Sequence, residues 1–276
     1  MYGESVSPLA LLLPAAVYPM LAAIASGLII YKLEQHKRDR LLFWLIPLLF
    51  FLSWLAGATG IHSRWQFPPA RAMDWLLVAS LLPVLATRLP EQIRMSGFGV
   101  SCLLAFGLIA QPLVSRMGGV DLFAQIIGWM LICGIAISSA DRQKNAALFP
   151  VSLIVMIVMS AVVTGISSSL SIAQLIGALA AVLGGMWLLN RLVAISASGM
   201  MAASQAVMAL WIMVQAYAHY YGDVSIYALV ILSAPLLWTW DKQAHLSIKQ
   251  LIRTVAISLV PGLLALWMVW PEQSLY

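Results

Sequence analysis

Residues 193–220 read VAISASGMMAASQAVMALWIMVQAYAHY, twenty-eight in a row without Asp, Glu, Lys or Arg. A helix of a soluble protein keeps a charged or polar face toward water, and this run has none of the charge that such a face uses. A helix that crosses a bilayer needs about 20 predominantly apolar residues. The run therefore points to a membrane, and the rest of the chain agrees with it. Of 276 residues, 62% are hydrophobic and 9% charged, with a mean hydropathy of +0.95. Soluble domains run near 45–50% apolar and about a quarter charged.

Working outward from that run, apolar stretches bounded by charge or by Pro and Gly predict ten spans. They cover residues 9–31, 41–60, 72–87, 97–114, 122–140, 148–166, 172–189, 193–220, 225–240 and 254–270. The expected fold is all-α: a polytopic membrane bundle of about ten transmembrane helices, with residues 1–276 forming one transmembrane domain. Ten spans at about 20 residues each leave short links and no room for a soluble catalytic or nucleotide-binding domain. The first seven residues carry only Glu4 as a charge, so the first run lacks the positive leader of a cleavable signal and is expected to stay as a helix.

Orientation follows from the basic residues, which stay in cytoplasmic loops. Alternate links place Lys32, Lys37, Arg38, Arg40, Arg88, Arg94, Arg142, Lys144, Arg191, Lys242, Lys249 and Arg253 on one side, and Arg64, Arg71 and Arg116 on the other. Twelve against three predicts an even number of spans with both termini outside a cytoplasmic membrane. The net charge of +5 is thus a topology signal. It forms no basic stripe of the kind nucleic acid needs. Cys102 and Cys133 lie inside apolar runs without a metal-ligand spacing and read as small core residues.

The eighth span is also the most polar. At 1.5 Å per residue its 28 residues would measure about 42 Å against a hydrocarbon core near 30 Å, which calls for tilt, an extension into the cytoplasm, or a break near residues 196–199. Ser204 and Gln205 fall near mid-depth, and Gln215 and His219 follow one turn apart near the outer end. With Asp74 and Arg71 at the outer end of the third span, Gln205, Gln215 and His219 are the candidate binding residues. The competing reading for the polar residues is interhelical hydrogen bonding, worth about 0.6 to 2 kcal/mol per contact. Arg71 and Asp74 stand three apart, a spacing that lets them pair on one helical face. No Lys, Arg, Asp or Glu lies near the centre of any span, which argues against ion-coupled pumping.

Small residues at fourfold spacing, Gly177, Ala181 and Gly185 on the seventh span and Ala194, Ser198, Ala202 and Ala206 on the eighth, predict close packing of those two helices. Between residues 241 and 253, Leu246, Ile248, Leu251 and Ile252 alternate with Lys249 and Arg253. This link reads either as an amphipathic helix on the inner leaflet or as an extension of the tenth span. His62, Arg64, Trp65, Arg71, Asp74, Arg116, Asp121, His219 and Asp223 collect at the outer ends. They read as an interfacial anchoring belt or as a vestibule for a polar headgroup. Neither a metal nor another cofactor is expected from them.

Two short stretches resemble known families. Trp238, Thr239, Trp240, Asp241 and Lys242 are similar to a fragment of the tryptophan-rich haem-handling motif of cytochrome c assembly proteins. That family presents haem outside, whereas the charge count puts this stretch inside, where its tryptophans read as anchors. Residues 170–179, LSIAQLIGAL, resemble the last helix of the repeat in drug/metabolite transporter-type proteins, although serines at 167–169 replace the expected acidic residue. The functional expectations are, first, a passive or partner-driven permease for a small-molecule or lipid-type substrate. Second comes a non-catalytic membrane subunit or scaffold with partner membrane subunits, and third an intramembrane enzyme using His62, Asp74, His219 and Asp223. The lipid bilayer is the one partner common to all three.

Overall fold

The computed structural model describes residues 11–62, 64–114, 117–143, 145–238 and 247–270. Lys144, Arg116, Leu246 and the Thr239 to Lys242 part of the haem-like fragment lie outside them. The helices are α1 (Leu13–Gln35), α2 (Asp39–Ile61), α3 (Ala72–Ala86), α4 (Glu91–Val114), α5 (Gly119–Arg142), α6 (Phe149–Ser167), α7 (Leu170–Leu192), α8 (Ala197–Gly222), α9 (Ile226–Leu232) and α10 (Ile248–Val269). Pro14 and Pro19 remove backbone donors at the start of α1, whose first turn, Leu13–Val17, is a wider π-helical turn. Helix α9 passes through Ser233 into a 3₁₀ turn, Ala234–Leu237. Eight of these helices are long and apolar enough to cross a bilayer, whereas α3 and the α9 segment are shorter. At 1.5 Å per residue the 15 residues of α3 reach about 22 Å. Among the described residues all regular structure is helical.

Helix α8 is the axis of the bundle. It touches α2, α3, α4, α5, α6 and α7 and is the most deeply buried of the long helices. Its Ala, Gly and Ser side chains let neighbouring backbones approach. The expected break near residues 196–199 falls at the start of this helix, not inside it. Residues 193–196 form a non-helical link, Ser196 caps the first turn by accepting from the Gly199 N–H at 3.0 Å, and the helix then runs 26 residues unbroken. Asp223 ends it in the left-handed region at φ 52°, a conformation that Asp tolerates better than most side chains.

Buried polar side chains tie α8 and its neighbours together. Trp211 Nε1 donates to Ser160 Oγ on α6 at 3.0 Å. Trp54 on α2 donates to the Leu175 carbonyl on α7 at 3.1 Å. Hydroxyl pairs join Ser26 to Ser53 at 3.0 Å and Ser152 to Ser258 at 2.7 Å.

Helices α7 and α8 pack against each other, as their small-residue stripes predict, but Gly185 and Gly177 do not mark that contact. A Cβ on Gly185 would stand 2.8 Å from the Met20 carbonyl oxygen, whereas one on Gly177 would meet nothing within 4 Å. Gly185 therefore serves the crossing of α7 with α1, and Ser198 and Ala202 on α8 line a cleft against α1 and α2. In the 241–253 link, Ile248 to Arg253 belong to α10, as the helical-extension reading expects. Trp238 accepts from Gln143 Nε2 at 2.6 Å through its carbonyl, and the Arg253 guanidinium sits 5.5 Å from the centre of its ring.

Candidate functional site along the central helix

The two ends of α8 differ in chemistry. At its amino end the Glu34 carboxylate, on the last turn of α1, reaches across to the α8 cap. Ser196 donates its hydroxyl to Oε1 at 2.5 Å and its N–H to Oε2 at 3.1 Å. Ser198 extends the chain with a hydroxyl contact of 2.9 Å to Ser196. Negative charge at a helix amino end is favourable because the first N–H groups lack helical partners. Gly199 permits the approach, since a Cβ there would lie 2.8 Å from Glu34 Oε1.

Arg88, in the link from α3 to α4, forms the facing wall. Its Nη2 donates to Gln205 Oε1, its Nε reaches Thr87 Oγ1 at 3.5 Å, and its guanidinium lies 5.7 Å from the centre of the Phe43 ring. Burial, assisted by the neighbouring Arg94 charge, draws Arg88 down to about 10, still protonated near neutral pH. Glu34, Arg88, Ser196, Ser198, Phe43 and Ala202 line a cleft of about 360 Å³, within the range of about 300–1,000 Å³ typical of small-molecule sites.

Further along α8 the interior turns polar without being paired. Trp211, Gln215 and His219 follow one another at fourfold spacing on one stripe of the helix. Trp211 has its Ser160 partner, and His219 Nδ1–H donates to the Val224 carbonyl at 2.7 Å. Gln215, between them, is fully buried, and neither its amide oxygen nor its nitrogen has a hydrogen-bond partner. On α6, Thr164 is equally buried and its hydroxyl is also unpartnered. The two residues stand at one level. Ser160 meets Trp211, Ser168 lies against Gly222, and so α6 and α8 run parallel with Thr164 and Gln215 each one turn beyond the Trp211 bond. Burying an amide without a partner costs roughly 1–3 kcal/mol by mutational measures.

The candidate residues read from sequence thus separate into three places. Gln205 is buried and lies only about two turns into α8, nearer the helix end than the mid-depth expected of it, where Arg88 joins it to the cleft. Gln215 is in the packed interior. Asp74, Arg71 and His219 lie toward the other end, and the first and last of these have structural tasks. Asp74 is buried and accepts backbone N–H groups from Gln66 at 3.3 Å, Ala70 at 3.3 Å and Arg71 at 3.0 Å. The expected contact between Arg71 and Asp74 is therefore made by the Arg71 main chain, while the Arg71 side chain is exposed. His219 fastens the last turn of α8 to the following turn, with Trp129 edge-on at 5.9 Å.

His62 stacks edge-on against Trp65 at 5.0 Å, and Asp223 is the left-handed cap of α8. Asp74, His219 and Asp223 are thus engaged in backbone bonds or a cap, whereas His62 Nε2 is buried without a hydrogen-bond partner, and no group of three or more His, Cys, Asp or Glu among the described residues could hold a metal. Sequence reasoning missed Glu34 and Arg88, which look like members of a basic cytoplasmic link. The available signal was Ser196 standing at the head of the eighth run, a cap that attracts an anion. Set beside protein-family models, curated proteins and solved structures, the chain matches none of them.

Proposed function

We propose that the chain crosses a cytoplasmic membrane ten times with both ends outside, and that it is a permease without its own energy source, whose path for a small polar or lipid-type molecule follows α8. The distribution of basic residues supports the topology, twelve on one side against three. So do the contacts between links. Glu34 meets Ser196, Arg88 meets Gln205 and Gln143 meets Trp238, all on the side assigned as cytoplasmic. On the other side, Gln174 reaches the Leu11 carbonyl, and Tyr221 on α8 donates to the Ile109 carbonyl on α4. In this topology α3 and the α9 segment are crossings too, shorter than the bilayer core.

The observation that carries the permease reading is the Gln215 amide, with Thr164 beside it in level. A static bundle gains nothing from an unpaired buried amide, and apolar residues of similar size would remove its cost. A path that admits a polar molecule or water provides partners for it, because polar groups at membrane depth belong to cavities and packed protein. The cleft at Arg88 and Gln205 then forms the cytoplasmic mouth of the same helix.

The test needs no knowledge of the substrate. A Gln215→Cys variant is made in a background with Cys102 and Cys133, both buried, replaced by alanine. Intact cells are then treated with a membrane-impermeant maleimide. Labelling from outside, without denaturant, is expected of a permease that opens to this level. A cysteine that reacts only after denaturation belongs to a static scaffold and ends the proposal.

A further inference from the structure

Glu34 and Arg88 look into one cleft from different segments, yet no ion pair joins them, and among the described residues neither has another charge partner. Each has capacity left. A carboxylate offers about four acceptor positions and a guanidinium five N–H donors. Glu34 uses two acceptor positions on Ser196, and Arg88 uses two donors, on Gln205 and Thr87. A simple anion drawn to Arg88 meets the Glu34 charge, and a simple cation drawn to Glu34 meets Arg88 with Arg94 nearby. A ligand that is neutral overall but carries both charges satisfies the two walls together.

We propose that this cleft binds a compact zwitterion, its anionic group on the Arg88 fork and its ammonium group on the Glu34 carboxylate. That chemistry is shared by a phosphatidylethanolamine headgroup and a free α-amino acid. Arginine suits the anionic arm because its planar fork matches carboxylate and phosphate oxygens in pairs. An ammonium with N–H donors suits Glu34, whose remaining lone pairs need hydrogen atoms. Phe43 forms part of the wall while staying 42% exposed, and Leu41 and Trp44 beside it are also exposed. The cleft therefore borders an apolar surface on which acyl chains can lie. The proposal rests on the permease reading for naming the zwitterion as substrate, but its binding is measured separately.

The purified full chain is titrated in mild detergent with dioleoyl-phosphatidylethanolamine or dioleoyl-phosphatidylglycerol, and bound lipid is counted by native mass spectrometry. L-Alanine binding is followed by tryptophan fluorescence and by competition. The expected result is a preference for the zwitterion over phosphatidylglycerol of about tenfold or more. Glu34→Gln lowers zwitterion binding by a similar factor and leaves phosphatidylglycerol unreduced, whereas Arg88→Gln lowers both. Arg88→Lys, which keeps the charge without the fork, gives an intermediate loss and carries the test if Glu34→Gln does not fold. Phosphatidylethanolamine retained against excess alanine identifies the lipid as the source, and saturable alanine binding identifies the free zwitterion. Phosphatidylglycerol bound as well as phosphatidylethanolamine, with no alanine binding, overturns the proposal, as do variants that leave the preference unchanged. If the zwitterion binds while Gln215→Cys stays unlabelled, the cleft stands and the transport reading falls; the reverse pattern removes the zwitterion alone.

Discussion

Replacing Gln215 by leucine is expected to make the protein more stable. The side chain is fully buried and its amide makes no hydrogen bond through either atom, so the wild type carries a desolvation cost of roughly 1–3 kcal/mol. Leucine is of similar size, and a near volume-conserving change in a packed interior costs under about 1.5 kcal/mol. The balance is a gain of up to about 3 kcal/mol. At roughly 2–4 °C per kcal/mol for chains of a few hundred residues, the apparent melting temperature should rise by a few degrees, to about 12 °C at most.

Trp211→Phe, one turn earlier on the same stripe, is the control. It removes a bond that is made, the 3.0 Å contact with Ser160, and leaves a cavity where the indole stood, so it should lower the melting temperature. Intrinsic fluorescence in a mild detergent at one fixed scan rate compares the variants without requiring reversible unfolding. If Gln215→Leu melts below wild type by as much as Trp211→Phe, the amide is a structural bond in the folded protein, and the argument for a polar path fails.

Two further outcomes follow from the packing. Asp74→Asn should destabilise by about 1–2 kcal/mol, seen as a lower melting temperature, because a single amide oxygen replaces a carboxylate that accepts three backbone N–H groups at the head of α3; unchanged melting would contradict the capping role. Gly185→Leu, driven against the Met20 backbone, should cost about 1–3 kcal/mol. Gly177→Ala, with open space around it, should be neutral or gain up to about 1 kcal/mol from helix propensity, and equal effects at the two positions would refute the α1–α7 crossing.

Most of the helical framework was legible because hydrophobicity in a membrane protein is a direct report on length. The predicted run 148–166 became Phe149–Ser167, and 72–87 became Ala72–Ala86. Where the helices outran the apolar runs, polar residues continued the helix beyond the membrane core. Glu91 to Ser96 precede the predicted 97–114 span in this way and belong to α4. Which helices meet was legible only in part: α7 and α8 do pack together, but the partner of each small residue was not readable. Small residues mark a face that allows close approach but not the partner, so Gly185 looked toward the eighth span and found Met20.

The candidate site was half legible for a similar reason. Gln205 and Gln215 stand out as amides in an apolar run. Glu34 and Arg88 do not, because charge in a link is ordinary, and their meeting around the cap of α8 depends on three segments far apart in sequence. At the carboxyl end of α8 the relation is reversed. His219, Asp74 and Asp223 look chemical in a list of residues, yet each completes a backbone hydrogen bond or a cap.

Whether α8 carries a polar path can be read from the density around Gln215 in a cryo-EM map of the protein in native lipid. A polar path places a polar ligand or ordered water within hydrogen-bond distance of the Gln215 amide and the Thr164 hydroxyl, in a cavity that continues toward Gln205 and Arg88. Dry, close-packed side chains around Gln215, with its amide turned onto a protein donor and acceptor, would contradict it.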